Sequence, residues 1–154
     1  MRLYIVRHGE AQPSEVDPQK RLSPKGRSDV RQLAALLRPR GIAVEAIWQS
    51  GKTRAAETAV MLSEAVTARQ GVVQWAGLEP NDPVTPVLND VLRAEGDIMI
   101  VGHLPFVARL ASKLATGDES ILRMAFGTAT AACIERDPEA GWRLLWMIAP
   151  EPLA

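Results

Sequence analysis

The sequence predicts an α/β fold, namely a three-layer α/β/α sandwich around a mainly parallel sheet with an antiparallel edge near the C-terminus. Short β-branched apolar segments alternate with segments of helical periodicity, which is typical of parallel strands joined by right-handed crossovers. The last two apolar segments, TATAACIE and WRLLWMIA, are joined only by the turn-forming RDPEAG, as in an antiparallel pair. A chain of 154 residues with 47% hydrophobic content can bury a core, so we expect a single domain over residues 1–154.

The predicted elements follow in a regular order. Residues 3–7, LYIVR, form a short apolar segment that suits a strand buried on both faces. A helix is predicted after Ser23, which can cap it, with Pro24 at the first helical position and Gly41 beyond its end. The other predicted elements are strands at 43–50, 72–78 and 97–103 and helices at 52–68, 83–96 and 104–117.

Composition and charge exclude several kinds of function. The formal net charge is zero, with 18 basic and 18 acidic residues, so we expect neither nucleic acid nor a membrane as a partner. The first apolar segment reaches Arg7 and His8 too early for a signal peptide or a membrane span, and we expect a cytoplasmic protein. The lone Cys133 is interpreted as a buried hydrophobic residue. Two histidines and one cysteine show no zinc-ligand spacing, so we expect no metal.

Both histidines and two arginines fall at one predicted edge of the sheet. In open parallel sheets, ligands bind beyond the carboxyl ends of the strands, where the loops converge. Taken singly, a histidine or arginine at such a place is more often structural or merely solvated. Together at one edge they indicate a phosphoryl site. The residues at the four strand ends are, in chain order, Arg7 and His8, then Arg54, then Glu79 and Asp82, then His103.

Phosphoryl transfer explains why these residue types occur together. The protein has to position a nucleophile and stabilise the charge on three equatorial oxygens. Arg7 and Arg54 suit those oxygens because a guanidinium group donates paired hydrogen bonds and stays protonated. A nucleophilic imidazole has to be neutral, which neighbouring guanidinium groups favour, and a hydrogen bond to its other nitrogen fixes its tautomer.

Three motifs carry a family resemblance. LYIVRHGEA, SGKTRAAET and IMIVGHLP, in this order and each at a predicted strand end, resemble the histidine phosphatase superfamily, also called the phosphoglycerate mutase-like fold. The similarity extends over nearly the whole chain, including the terminal strand pair. The resemblance implies that His8 is the nucleophile that becomes phosphorylated, and that no metal or organic cofactor takes part. It also implies that the phosphoryl oxygens are held by Arg7, Arg54 and His103.

The resemblance further implies a carboxylic acid that protonates the leaving group. We choose Glu79 over Asp82 because it lies nearer the predicted strand end. The chain also departs from the family pattern in two places. Ser50-Gly51 stands where members often have Ser-Pro, so we expect a looser second loop. AQPSEVDP lacks the asparagine that sugar-phosphate mutases tend to carry, which argues against a mutase.

The substrate class follows from the size of the chain. Nearly every residue belongs to the basic sheet and helices, so we expect a shallow, open site without lids. The compact length and the run RLSPKG resemble the short bacterial SixA-type phosphatases, which remove phosphate from histidine on phosphotransfer proteins. The prediction is a metal-independent protein-phosphohistidine phosphatase whose partner carries a histidine phosphotransfer domain. The alternative is a phosphatase of small phosphomonoesters, such as sugar phosphates. An inactive binding module is disfavoured because all four core residues are retained.

A nucleotide site is the remaining hypothesis. AIWQSGKT, residues 46–53, fits a Gly-Lys-Thr phosphate loop with alanine at the first glycine position. Such a loop needs a turning, glycine-rich backbone, whereas Ala46 to Gln49 reads as a strand. The strand that follows begins with Asp97 instead of ending with an aspartate. Lys52 is therefore interpreted as a solvated residue of the first helical turn, or as part of a positive rim around the phosphate pocket.

Overall fold

The structure is a computed structural model that describes residues 1–122 and 125–150. The strands are β1 (Arg2–Arg7), β2 (Ala43–Val44), β3 (Ala46–Gln49), β4 (Thr67–Ala68), β5 (Val72–Gln74), β6 (Ile98–Gly102), β7 (Ala131–Asp137) and β8 (Gly141–Ile148). The helices are α1 (Pro24–Leu37), α2 (Thr53–Leu62), α3 (Thr85–Arg93) and α4 (Phe106–Thr116), and a short 3-10 helix, Arg38–Arg40, follows α1.

Six strands form one sheet in the spatial order β5-β3-β6-β1-β7-β8. The ladders β5 to β3, β3 to β6 and β6 to β1 are parallel. The ladders β1 to β7 and β7 to β8 are antiparallel, and they form the edge near the C-terminus. The short strands β2 and β4 pair separately, in parallel.

Each face of the sheet is covered by one hydrophobic layer. In β1, successive side chains point to opposite faces, so Tyr4 and Val6 belong to one cluster while Leu3 and Ile5 belong to the other. The first cluster includes the apolar stripes of α1 and α2, and the second includes those of α3 and α4. This arrangement confirms the predicted α/β/α sandwich with a mainly parallel sheet and an antiparallel edge.

The first helix forms as its sequence predicts. Ser23 is extended and accepts a hydrogen bond from the Gly26 N–H, and Pro24 occupies the first helical position. The buried stripe of α1 consists of Gly26, Val30, Leu33, Ala34 and Leu37.

Other elements differ from the prediction in their bounds. The second helix ends at Leu62 instead of 68, because the Glu64 and Ala65 N–H groups donate to the carbonyls three residues before them and form a tighter turn. Thr67 and Ala68 extend to pair with β2 as a strand, which suits a β-branched residue better than a helix does. The predicted strand at 43–50 is divided at Glu45, whose N–H donates to the Asp97 carbonyl.

The lone cysteine lies in the core. Cys133 is fully buried beside Tyr4, which confirms its interpretation as a hydrophobic core residue. Burial raises the pKa of its thiol to about 11. Within the described residues, no helix combines the length and the apolarity that crossing a membrane requires.

Candidate active site

The sheet order brings the two histidines together. β1 and β6 are parallel neighbours, and their register pairs Arg7 with Gly102, so the next residue of each strand leaves the sheet at the same level. The His8 N–H donates to the Gly102 carbonyl at 3.0 Å. The imidazole rings of His8 and His103 therefore lie side by side and tilted, with centroids 5.0 Å apart and planes inclined by 53°.

A backbone contact sets the tautomer of His8. Its Nδ1 lies 2.6 Å from the Gly9 carbonyl oxygen, which can only accept, so Nδ1 carries the proton. In the neutral ring, Nε2 then has a free lone pair. Burial is the largest cause that lowers the pKa of His8, to about 4; the Gly9 contact opposes it, and the charges of Arg54 and Arg7 add to it. His8 is thus a neutral imidazole at neutral pH, with Nε2 available to react.

The two arginines approach this ring from different elements. Arg7 ends β1, and its Nη1 donates to the Phe126 carbonyl at 2.8 Å. Arg54 lies in the first turn of α2. Burial lowers the pKa of both guanidinium groups, an effect that Glu79 opposes at Arg54. Since arginine starts from a very high pKa, both remain charged and can hold an anion.

Two buried nitrogens indicate a place where an anion can bind. Among the described residues, Arg7 Nε and His103 Nδ1 are the buried side-chain nitrogens without a hydrogen-bond partner. Buried polar groups almost always find partners, so such exceptions mark places where a ligand or solvent binds. The charge of Arg7 lowers the pKa of both His8 and His103, so Arg7 and the two rings lie at this one edge. The arrangement can hold an oxyanion beside His8.

His103 is held by a serine from the neighbouring strand end. Its Nε2 lies 2.6 Å from the hydroxyl oxygen of Ser50, which directly follows β3. Burial lowers the pKa of His103 to about 3, and the charges of His8 and Arg54 contribute further. His103 is therefore a neutral ring at neutral pH, and it can give at most one proton to a ligand.

The acidic candidates lie at the outside of this edge. Glu79 Oε2 is 3.2 Å from Lys52 Nζ, and the Glu79 side chain is 50% exposed. The Asp82 carboxylate accepts the backbone N–H of Glu79 and so belongs to the turn itself. Glu79 lies close enough to act on Arg54 electrostatically. Of the two, Glu79 is the one whose charge acts on Arg54.

The loop between β3 and α2 is well held. Gly51 has φ of +96°, and its N–H donates to the Gln49 side chain at 2.5 Å. Proline could adopt neither that angle nor that hydrogen bond. Where members often have proline, Gly51 therefore forms a different, hydrogen-bonded turn. β3 occupies Ala46–Gln49, so the glycine-rich turn of a nucleotide loop is absent from this stretch.

The run RLSPKG supports the loop that follows His8. The Ser23 hydroxyl donates to the Glu10 carboxylate at 2.7 Å, and its N–H donates to the Glu10 carbonyl. A Cβ at Gly26 would lie only 2.0 Å from that carbonyl oxygen, so α1 can approach the loop only with glycine there. On the other side, the Gly9 N–H donates to Thr58 of α2. The loop after β1 is thus fixed by two helices.

The structure brings together the residues that the sequence indicated, and it adds others. Arg7, His8 and His103 lie at one edge with Arg54, while Glu79 lies at the rim. Sequence reasoning missed the roles of Ser50, Thr58 and the Phe126 carbonyl. Ser50 could have been noticed from its place in SGKTR. Thr58 could have been noticed in the same way, since it ends the motif SGKTRAAET, whereas nothing in the sequence marks Phe126.

Metal ligands do not cluster in the described ranges. No group of three or more His, Cys, Asp or Glu side chains within residues 1–122 and 125–150 is arranged to hold a metal ion.

Solved structures with the same fold include proteins that are named as phosphatases. The protein histidine phosphatase SixA in complex with tungstate matches with a TM-score of 0.80 at 23% identity, over 97% of each chain. SixA from Agrobacterium tumefaciens matches with a TM-score of 0.78 at 24% identity, again over 97% of each chain. A mycobacterial glucosyl-3-phosphoglycerate phosphatase in complex with VO3 matches at 0.70 and 18% identity, over 94% of this chain and 97% of the other. No curated protein gave a significant match.

Fold and sequence together define the class of this protein as a hydrolase, a phosphatase. A family model described as histidine phosphatase superfamily (branch 1) matches residues 3–80. The chain belongs to the histidine phosphatase superfamily.

Proposed function

We propose that this protein removes phosphoryl groups through a phosphohistidine intermediate on His8, without a metal or organic cofactor, and that its substrate is phosphohistidine on another protein. The observation that carries the proposal is the pair of buried, unpartnered nitrogens, Arg7 Nε and His103 Nδ1, next to a neutral His8. Donors of this kind are positioned for the oxygens of a phosphoryl group.

The proposed reaction has two steps. In the first, the lone pair of His8 Nε2 attacks phosphorus, a P–N bond forms, and the bond to the leaving group breaks with its electron pair. The Nδ1 proton stays in its hydrogen bond with the Gly9 carbonyl, so the ring need not turn. In the second step, water attacks phosphorus, the P–N bond returns its electron pair to Nε2, and inorganic phosphate leaves.

The other residues stabilise charge in this scheme. Arg7, Arg54 and His103 hold the equatorial oxygens, whose charge grows as the transferred group loosens from both partners. Glu79 is the candidate that protonates the leaving group. Its carboxylate is ion-paired with Lys52, so it would have to leave that pair and bind a proton before acting as an acid.

That ion pair favours a phosphohistidine substrate over a phosphoester. A phosphoester releases an alkoxide, which needs a strong proton donor, whereas phosphohistidine releases an imidazole that is protonated readily from solvent. Transfer from one imidazole to another also exchanges one P–N bond for the same kind of bond. A site without a committed acid suits this reaction. The SixA proteins with the same fold carry a name that describes such an activity.

The nucleophile is tested by His8→Ala in the presence of a chelator. Wild-type protein should hydrolyse a generic aryl phosphate or phosphoramidate with the chelator present, and should be trapped by rapid quench as an acid-labile phosphoprotein. His8→Ala should lose both, with activity reduced by about 10⁴-fold or more. Circular dichroism of the variant should match that of the wild type. Activity that requires a metal, or an equally active His8→Ala, would overturn the proposal.

Lys52→Ala separates the phosphatase from the nucleotide hypothesis. Because Lys52 is ion-paired at the rim, its loss should leave most of the turnover intact. Tight ATP binding that disappears in Lys52→Ala would instead support a nucleotide site. Tungstate, which is bound in the SixA structure, should compete with substrate.

The substrate class is tested by comparing kcat/KM on a phosphohistidine-bearing phosphotransfer protein with that on a panel of phosphosugars. The panel should include glucosyl-3-phosphoglycerate, the substrate named for the mycobacterial relative. Higher values on the phosphoprotein would support our assignment, and higher values on one small phosphoester would replace it. A lack of turnover on all of them would favour a binding module. We also propose a cytoplasmic location, where such phosphoproteins occur and where a lone buried cysteine is ordinary.

A further inference from the structure

The contact between Ser50 and His103 assigns a role to a residue outside the phosphate-binding set. The Ser50 hydroxyl oxygen lies 2.6 Å from His103 Nε2, and the two residues are 8% and 2% exposed. We propose that Ser50 donates its hydroxyl proton to Nε2 and so fixes His103 as the tautomer protonated at Nδ1, the atom that then donates to a phosphoryl oxygen. This inference rests on the proposed function, in which His103 binds that oxygen.

The direction of the hydrogen bond follows from the partners of the hydroxyl. A serine hydroxyl has one proton and two lone pairs. The Lys52 N–H donates to the Ser50 oxygen at 3.3 Å, so one lone pair is occupied. Within the described ranges, the only acceptor of the hydroxyl proton is His103 Nε2. If His103 were the donor instead, the buried hydroxyl proton would be left without an acceptor, which is unfavourable.

The other ring nitrogen leads to the same assignment. His103 Nδ1 is buried and has no hydrogen-bond partner in the described part of the chain. With a proton, it can donate to an oxyanion; without one, its lone pair would point at the anion and repel it. Only the tautomer with Nε2 unprotonated gives both nitrogens a favourable partner once phosphate is bound.

The neutral state of His103 makes this choice necessary. The low pKa of the ring means that it does not carry protons on both nitrogens at neutral pH. A single proton has to be on the correct nitrogen, and in an unassisted imidazole both tautomers are populated. Ser50 is therefore a positioning residue: it does not touch the phosphoryl group, and it acts through His103.

The tautomer is measured directly by nitrogen NMR of the histidine rings. The chain contains two histidines, so a spectrum of His8→Ala identifies the His103 signals. In the wild-type protein at neutral pH, His103 Nδ1 should show a protonated ring nitrogen and Nε2 an unprotonated one. The reverse assignment would overturn the inference. It would leave the proposed phosphatase activity standing, since that activity is measured independently.

Substitutions then connect the tautomer to the rate. Ser50→Ala should give a mixture of His103 tautomers and reduce kcat/KM by about 10-fold to 100-fold, as loss of a group that orients an imidazole ligand does. Ser50→Thr, which keeps the hydroxyl, should retain the wild-type tautomer and most of the rate. Ser63→Ala, a matched change at the other end of α2, should alter neither. A Ser50→Ala variant with an unchanged His103 tautomer and rate would overturn the inference.

The two proposals fail in different ways. A wild-type protein with His103 protonated at Nδ1 but without any phosphoenzyme or turnover would contradict the proposed function and support the tautomer assignment. An active wild-type protein with His103 protonated at Nε2 would do the opposite.

Discussion

His8 and His103 are uncharged side chains in a pocket whose other members are cations. Burial and the nearby arginines keep both rings neutral, with pKa values of about 4 and about 3. This environment serves a nucleophile, which needs a free lone pair, better than it serves a cation. The same environment also affects the stability of the fold, because each of the two imidazoles binds a proton much more readily in the unfolded chain.

We expect acid to weaken the fold through these two rings. In the unfolded chain each histidine binds its proton near pH 6.5, whereas in the folded protein it does so only near pH 4 or 3. The unfolded state therefore binds more protons between these values. The free energy of unfolding should fall as the pH drops below 6.5, by up to about 1.4 kcal/mol per pH unit for each histidine. Above pH 6.5 the histidines are unprotonated in both states, so they should no longer change the free energy of unfolding.

Urea denaturation at several pH values below neutrality measures this effect. The control is a variant with His8→Gln and His103→Gln, because a neutral amide binds no proton. Its free energy of unfolding should depend less on pH than that of the wild type. An identical pH dependence in both proteins would contradict the low pKa values.

The two arginines need their planar guanidinium groups. On the proposed function, Arg54→Lys should keep the positive charge but lose the paired hydrogen bonds to the phosphoryl oxygens. We expect kcat/KM to fall roughly 100-fold, with little change in stability. Arg69→Lys is the control, because Arg69 is an exposed residue that pairs with Glu45. Steady-state kinetics of Arg54→Lys that match those of Arg69→Lys would contradict the prediction.

At the residue scale, the sequence predicted which residues lie together at this edge better than it predicted their hydrogen bonds. Arg7, His8 and His103 lie directly at strand ends, and such positions can be predicted once the strands are recognised. Ser50 could be noticed as part of SGKTR, but its pairing with His103 could not be predicted, because Ser50 follows a strand that is distant in sequence and adjacent only in the sheet.

At the scale of elements, α1 and the loop after β1 depend on one close approach. Gly26 lies in the first turn of α1, where alanine is usually the better helix former by about 1 kcal/mol. Here a Cβ would lie 2.0 Å from the Glu10 carbonyl oxygen, a backbone atom that cannot rotate away. The steric conflict therefore outweighs the gain in helix propensity.

We expect Gly26→Ala to destabilise the protein by about 1 to 3 kcal/mol. It should also reduce activity, since displacing Glu10 moves the loop that carries His8. Gly96→Ala is the matched control, because the nearest atom to its Cβ would be Glu45 Cβ at 3.6 Å, an ordinary contact. Urea denaturation measures both variants. Equal stability of the two would contradict the steric argument.

The bounds of the elements were predictable where local signals decide them. Ser23 and Pro24 mark the start of α1, and the structure places it there. The end of α2 was not predictable from periodicity, since Val66 continues the apolar stripe. Val66 is buried as expected, but it lies beyond the helix, in the turn that leads to β4. Burial alone does not distinguish a helical residue from a loop residue that packs against the same core.

At the scale of the whole molecule, we propose that the chain is a single cooperative unit. Its tryptophans report on distant regions: Trp48 and Trp75 stack near one edge of the sheet, while Trp142 and Trp146 lie on β8 at the other. Far-ultraviolet circular dichroism and tryptophan fluorescence should therefore show one urea transition with the same midpoint. Separate midpoints would indicate two units.

The class of fold was predictable from the alternation of strands and helices, but the strand order was not. Alternation and crossover handedness indicate a parallel sheet covered on both faces. They do not specify that β6 inserts between β3 and β1, or that β7 pairs with β1. Which strands become neighbours in the sheet depends on complementary packing across the whole core.

The position of β1 has a consequence for how the protein is made. β1 leaves the ribosome well before β6 and β7, the two strands that flank it in the sheet. Even the hydrogen bond at its start, from the Arg2 N–H to the Asp97 carboxylate, joins residues 95 positions apart. Until β6 has been synthesised, an apolar strand with two open edges has to stay out of contact with other chains. The nascent protein should therefore be most vulnerable to aggregation, and most dependent on chaperones, when the first half of the chain has been synthesised and the second half has not.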